Sequence, residues 1–189
     1  MKAMVCTEYG SQDVLRLEEV DRPTPRDDEV LIDVRATSVN ASDWEFLTGS
    51  PAYTRAWGLL RPKHPILGSD IAGEVAAVGR NVSALAPDDA VFGDVLGSWG
   101  GFAEYACAPA CELTRKPDSL SFEEAASLPH SACVALQGIR DAGRVRAGQR
   151  VLVNGAGGDG TRALPYGSLD EFAWSLVRMN GLPAQGEAT

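Results

Sequence analysis

Short runs in which apolar and polar residues alternate fill the first 115 positions, and Pro, Gly or Asp cuts each run off. Lys2 to Thr7, Leu15 to Val20 and Val30 to Val39 carry the branched, alternating pattern of half-buried strands. Arg22-Pro23-Thr24-Pro25 breaks the chain between the last two. Ile71 to Val78, Ala90 to Phe92, Phe102 to Ala106 and Glu112 to Arg115 continue the series. Many short strands with few helices between them predict a rolled sheet or barrel, so the fold class is mainly β with flanking helices, α+β.

Helical spacing appears only later. Ser121-Phe122-Glu123-Glu124 is a capping box, and Ala132 to Ala142 places Val134, Leu136 and Ile139 at helical intervals. A second box, Ser168-Leu169-Asp170-Glu171, opens a stretch with Leu169, Phe172, Ala173, Leu176 and Val177 on one face, stopped by Asn180-Gly181 and Pro183. The chain therefore divides into a strand-rich domain over residues 1–125 and a second region, 126–189, ending in a C-terminal helix.

Between these helices lies Gly155-Ala156-Gly157-Gly158-Asp159-Gly160, directly after the apolar run Val151-Leu152-Val153-Asn154. A strand entering G-x-G-x-x-G opens a dinucleotide-binding unit, because the glycines let backbone N–H groups approach a pyrophosphate at the next helix start. Such a unit needs further strand-and-helix crossovers of roughly 30 residues each. The stretch after Gly160 is too short to hold them, so the Rossmann βαβ unit is truncated. Asp159 also puts a carboxylate where a pyrophosphate would lie.

Composition narrows the classes of partner. At 44% hydrophobic and 23% charged the chain is ordinarily globular, and its net charge of -9 argues against nucleic acid or an anionic membrane, which want basic patches. No apolar run is long enough for a membrane span, and Ala3 to Cys6 is too short for a signal peptide, so the protein reads as cytoplasmic. Cys6, Cys107, Cys111 and Cys133 are too scattered for a disulfide framework or paired metal ligands. His64 sits in a loop between Lys63 and Pro65 and receives no role.

Several motifs then agree in order and spacing. Val39-Asn40-Ala41-Ser42-Asp43-Trp44, Leu67-Gly68-Ser69-Asp70-Ile71-Ala72-Gly73-Glu74-Val75, Gly100-Gly101-Phe102-Ala103-Glu104-Tyr105, Leu128-Pro129 and Gly148-Gln149-Arg150-Val151-Leu152-Val153 resemble the medium-chain dehydrogenase/reductases. Within them the chain is most similar to the zinc-independent quinone oxidoreductase branch, over about residues 1 to 160. The resemblance implies a GroES-like catalytic domain, then a Rossmann domain binding NADPH, of which most is missing here. It also implies hydride transfer to a quinone, activated alkene or carbonyl.

By the same resemblance Asn40 lies beside the nicotinamide and substrate, Asp43 and Tyr53 lie near the cleft, and His130 stands where the chain enters the cofactor cleft. Gly155, Gly157, Gly158 and Gly160 would hold the pyrophosphate. The residues themselves also allow plainer roles: Asn40 as an N-cap of a short helix and Asp43 as a first-turn charge. Zinc-dependent relatives carry Cys at the position of Asn40 and His at that of Ser69, and an amide and a hydroxyl bind zinc poorly, so no metal is expected. The expected partner is a small-molecule substrate, and homo-oligomerisation stays open. The missing crossovers leave a second reading, a non-redox remnant that binds a small molecule or partner chain through the exposed cleft.

Overall fold

The computed structural model describes residues 1–146 and 149–152. The glycine-rich turn at Gly155–Gly160 and the helix expected over Ser168–Asn180 lie outside the described residues. The chain divides into two compact units, Met1–His130 and Ser131–Thr189.

Seven strands make the first unit: β1 (Lys2–Val5), β2 (Arg16–Glu19), β3 (Glu29–Ser38), β4 (Asp70–Val78), β5 (Ala90–Asp94), β6 (Tyr105–Pro109) and β7 (Leu113–Arg115). β1 and β2 form a two-stranded antiparallel sheet. The other five run in the order β6-β3-β4-β5-β7, antiparallel throughout. A single bridge, Ala3 to Ala103, links the small sheet to the chain leading into β6.

The five-stranded sheet is rolled, and its connections require it. β6 and β7 are its opposite edges, yet only the turn Ala110–Glu112 separates them. A flat sheet of that size would hold its edges about 19 Å apart, at ~4.8 Å for each of four gaps. Four residue steps from Pro109 to Leu113 reach about 14 Å at most. The expected barrel-like curl is thus imposed by the chain itself. Inside it Val30, Ile32, Ile71, Val75, Val91, Val95, Ala106 and Ala108 form the principal core.

Two smaller apolar clusters fix the helices. Helix α1 (Ala41–Thr48) buries Leu47 with Cys6, Leu67 and Trp99, and its Phe46 ring stacks at 4.7 Å, tilted, on Trp99. Helix α2 (Phe122–Ala126) sets Ala125 and Ala126 against Ala72 of the central strand, where small side chains allow close approach. Its capping box is complete: Ser121 Oγ accepts the Glu124 N–H at 3.1 Å, and the Glu124 carboxylate accepts the Ser121 N–H at 2.8 Å. Helix α3 (Pro129–Leu136) begins three residues before its expected start, at a proline suited to a first helical turn, and passes into a wider π-type turn, Gln137–Ala142.

Two further expectations need adjustment. β6 begins at Tyr105 rather than Phe102, because residues 102–104 make only a bridge and isolated bonds to β1 and β3. Val151 and Leu152, expected to open a strand, lie in no strand among the described residues.

Candidate active site

Asn40 ends the extended backbone after β3 and occupies the N-cap position of α1. Its main-chain N–H is taken by the Asp43 carboxylate, three residues on, at 2.7 Å. The Asn40 side chain accepts the Asp43 N–H in return, so the two residues form a capping box at the start of α1. The amide nitrogen reaches Ser69 Oγ at 3.1 Å, Asp70 Oδ2 at 3.2 Å and Ser38 Oγ at 3.3 Å. Asp43 does act as a first-turn charge at the positive end of the helix, and it does more: it is only 3% exposed, and its second oxygen accepts the Gly68 N–H at 3.1 Å. Burial pushes its carboxyl pKa up, against the N–H groups of Asn40, Gly68 and Ser69, which hold it down.

Gly68 permits that contact. Its φ is +96°, and a Cβ there would stand 2.6 Å from the backbone N of Phe102. The backbones of Leu67 and Gly68 run against Gly101 and Phe102, joined by hydrogen bonds of 2.9 and 3.0 Å, which leaves no room for a side chain.

The register of the sheet builds the rest of the site. Ser38, at the end of β3, and Asp94, at the end of β5, are the partners of Asp70 on either side. Cross-strand partners project to the same face, so these three form one polar row. Asp70 is fully buried and Ser38 donates to it at 3.1 Å. Burial pushes its carboxyl pKa up to about 6, with Asp94 acting in the same direction and the bonds from Asn40, His130 and Ser38 opposing. His130 closes the row. Its backbone N–H donates to Asp70 Oδ1 at 3.0 Å, and its Nδ1 lies 2.9 Å from Asp94 Oδ2.

The structure thus brings Asn40, Asp43 and His130 into one hydrogen-bonded network with Ser38, Ser69, Asp70 and Asp94. Tyr53 is outside it: in the 3₁₀ turn Ala52–Trp57 it is 57% exposed, and its hydroxyl donates to Glu45, which pushes the phenol pKa up. Gly155, Gly157, Gly158 and Gly160 lie outside the described residues. Asp70 carried a signal in the sequence, a carboxylate at the head of an apolar strand. Asp94 carried none, because its place depends on strand register. A separate open groove of about 460 Å³, lined by Met4, Leu17, Ala36, Thr37, Phe102 and Glu104 among others, has none of the network's residues in its wall.

Comparison with known proteins agrees with this architecture. Residues 26–118 match the alcohol dehydrogenase GroES-like domain. The chain is 37% identical over 170 residues to 2-methylene-furan-3-one reductase of Solanum lycopersicum, covering 85% of this chain and 42% of that protein. It is 37% identical over 159 residues to the quinone oxidoreductase of Homo sapiens, covering 84% of this chain and 46% of that one. Among solved structures, the quinone oxidoreductase from Coxiella burnetii superposes with a TM-score of 0.72 at 34% identity, over 80% of this chain and 48% of its own. A mycobacterial protein complexed with NADPH gives 0.73 at 29% identity, over 86% and 48%. The chain spans less than half the length of each of these relatives. On this architecture and these likenesses, the chain belongs to the medium-chain dehydrogenase/reductases as a quinone oxidoreductase-like member carrying their GroES-like domain.

Proposed function

We propose that the protein is an NADPH-dependent oxidoreductase that reduces a quinone, or an alkene or carbonyl activated by conjugation, without zinc. The observation that carries this reading is the anchored amide of Asn40. Its nitrogen is committed to Ser38, Ser69 and Asp70 and its oxygen to the capping box of α1, so the amide is fixed in orientation and the oxygen keeps a second lone pair for a donor. A nicotinamide carboxamide presents N–H donors, so the donor set fits that group. NADPH, when bound, supplies the hydride. The chain's own part is positioning: Asp43 and Asp70 hold Asn40 by its main chain and side chain, and a fixed partner keeps the reactants in line.

Three further points support the reading. Among the described residues no group of three or more His, Cys, Asp or Glu is placed to hold a metal ion, and the amide of Asn40 and hydroxyl of Ser69 are poor zinc ligands. Val39 just before α1, Trp44 on it, and Tyr53, Leu59 and Leu60 after it are exposed apolar side chains suited to a flat, apolar acceptor. The compound for which the tomato relative is named joins an alkene to a ketone, and the mycobacterial relative was solved with NADPH.

The test is a fluorescence titration with NADPH, followed by NADPH oxidation with simple quinones and enones. Saturable binding, with turnover lowered about 100-fold in Asn40→Ala at an unchanged melting temperature, is the expected outcome. No saturable binding would favour a non-redox protein that takes a small molecule or partner chain through the same cleft.

A further inference from the structure

A hydride leaves its acceptor one proton short. Once hydride reaches carbon, an electron pair moves onto the acceptor oxygen, and that oxyanion must take up a proton. The network around Asn40 holds a carboxylate with a hydroxyl in front of it. Asp70 is fully buried and so cannot touch an acceptor itself, but its Oδ2 lies 3.1 Å from Ser38 Oγ. Ser38 is half-buried, and the same Oγ lies 3.3 Å from the Asn40 amide nitrogen. It therefore stands between the buried acid and the anchored amide. Other members of the network fit this task less well. Asp43 is 3% exposed, and the main-chain N–H groups of Asn40, Gly68 and Ser69 are its partners. Ser69 is buried as deeply as Asp70, and it bonds to the Asn40 amide.

A hydroxyl both donates and accepts. With Asp70 ionised, Ser38 gives its proton to the carboxylate; with Asp70 protonated at Oδ2, the carboxyl donates to Ser38 Oγ and the serine proton is released outward. The charges around Asp70 favour the loaded form. Asp94 faces it from β5, Asp43 lies in the first turn of α1, and Glu112 acts on Asp94 from the turn before β7. From α3, His130 brings its backbone N–H to Asp70 and its ring to Asp94. Burial and Asp94 together raise the Asp70 carboxyl to about 6, where it exchanges its proton close to neutral pH.

We propose that Ser38 is the proton donor of the reduction and that Asp70 is the acid that recharges it. This rests on reading the Asn40 network as the place where the reactants meet. The Ser38 O–H bond breaks as the acceptor oxygen takes its proton, and the Asp70 Oδ2–H proton passes to Ser38 Oγ. Asp70 is left ionised and regains a proton from water through the same hydroxyl. The acceptor thus gains a hydride and a proton, a two-electron reduction for which NADPH is oxidised to NADP⁺.

Two measurements test this. In the chain alone, the Asp70 carboxyl ¹³C signal, assigned with Asp70→Asn, should titrate in the neutral range; a carboxylate that stays ionised down to about pH 5 overturns the proposal. The second is turnover of NADPH with a simple enone from about pH 5 to about pH 8, in H₂O and in D₂O. The wild-type kcat should fall as pH rises and carry a solvent isotope effect. Ser38→Ala should lower kcat about 100-fold and lose both signatures with the Kd for NADPH unchanged, whereas Ser38→Thr, which keeps a hydroxyl, should restore most of the rate. A purely structural role would leave the pH profile and the isotope effect in place. Unchanged kinetics in Ser38→Ala, or a pH limb that persists in Asp70→Asn, overturns the relay and leaves the redox reading standing. Should Asp70→Asn fail to fold, Ser38→Ala against Ser38→Thr decides. Absence of turnover in the wild type sinks the redox reading and the relay with it.

Discussion

Because Asp70 is ionisable and fully buried, its protonation is part of the folding equilibrium. Its pKa is raised from 3.8 to about 6, so the folded state holds the proton more tightly than the unfolded chain does. The stability this contributes is complete below about pH 4 and is lost as pH rises through about 6, a difference on the order of 3 kcal/mol. The raised carboxyl of Asp43 acts with the same sign. Urea unfolding at about pH 4.5 and about pH 7.5 should therefore show the wild type weaker at the higher pH, and Asp70→Asn should lose most of that difference. An identical pH dependence in the two proteins would show that Asp70 is ionised at no cost. Ser42 offers a contrasting case, since its hydroxyl is buried without a partner in the first turn of α1. Ser42→Ala removes an unsatisfied group and improves helix propensity, so its melting temperature should hold or rise. Gly68→Ala should cost more than about 1 kcal/mol by the same measurement, because its φ is positive and backbone blocks the new methyl. At this scale the sequence was partly legible. Asn40, Asp43 and His130 were singled out by the resemblance, with local spacing adding only a cap and a first-turn charge for the first two, while Ser38 and Asp94 reach the site through cross-strand register, which is a property of paired strands.

Helix α2 shows how a five-residue element holds. So short a helix is unstable in isolation, and two things stabilise it: the capping box at Ser121 and the seat of Ala125 and Ala126 on Ala72. The two are separable. Ser121→Ala should lower stability by about 1 kcal/mol. Ala126→Leu, which forces methylenes into a fully buried contact, should cost about 1 to 3 kcal/mol. Thermal melts of the two variants and their double mutant would test this, and a harmless Ala126→Leu would mean that the helix does not sit tightly on the sheet. The box was plain in the sequence because capping is a matter of residues three apart. The same is true of β4, whose apolar run Ile71–Val78 needs no tertiary information to read. The strand pattern that leads into β6 starts three residues before the strand does, because Phe102 and Ala103 are apolar for another reason: Phe102 packs on the cluster of Cys6 and Trp99, and Ala103 meets β1. The 3₁₀ turns Gln12–Val14 and Ala52–Trp57 gave no periodic signal at all, since each is too short to repeat.

For the whole molecule, the ranking of strands follows from what covers them. β3 and β4 lie in the middle of the sheet, and Ile32, Ile71 and Val75 are almost wholly buried, whereas every residue of β2 is exposed. Native-state hydrogen exchange should find the amides of Ile71–Val75 slowest and those of Arg16–Glu19 fast, because protection tracks buried, paired backbone. Slow exchange in β2 would mean that its outer face is covered in solution. That the first 115 residues make a strand-rich, rolled architecture was legible from the density of strands and turns; the separation of β1-β2 from the sheet β6-β3-β4-β5-β7, and the order of that sheet, were not, since alternation says which residues face inward and nothing of which strands are neighbours. The turn Ala110–Glu112 that ties the sheet's two edges has a kinetic corollary. β6 pairs only with β3 and β7 only with β5, so the two can be seated together only once β4 joins β3 to β5, and bringing Glu29 to Pro109 closes a long loop whose entropy early contacts do not offset. The edges therefore join after the folding barrier is crossed. Leu113→Ala should speed unfolding in stopped-flow experiments and leave the refolding rate nearly unchanged, and an equal slowing of refolding would place the closure inside the transition state. The molecule would then open along its seam before its centre gives way.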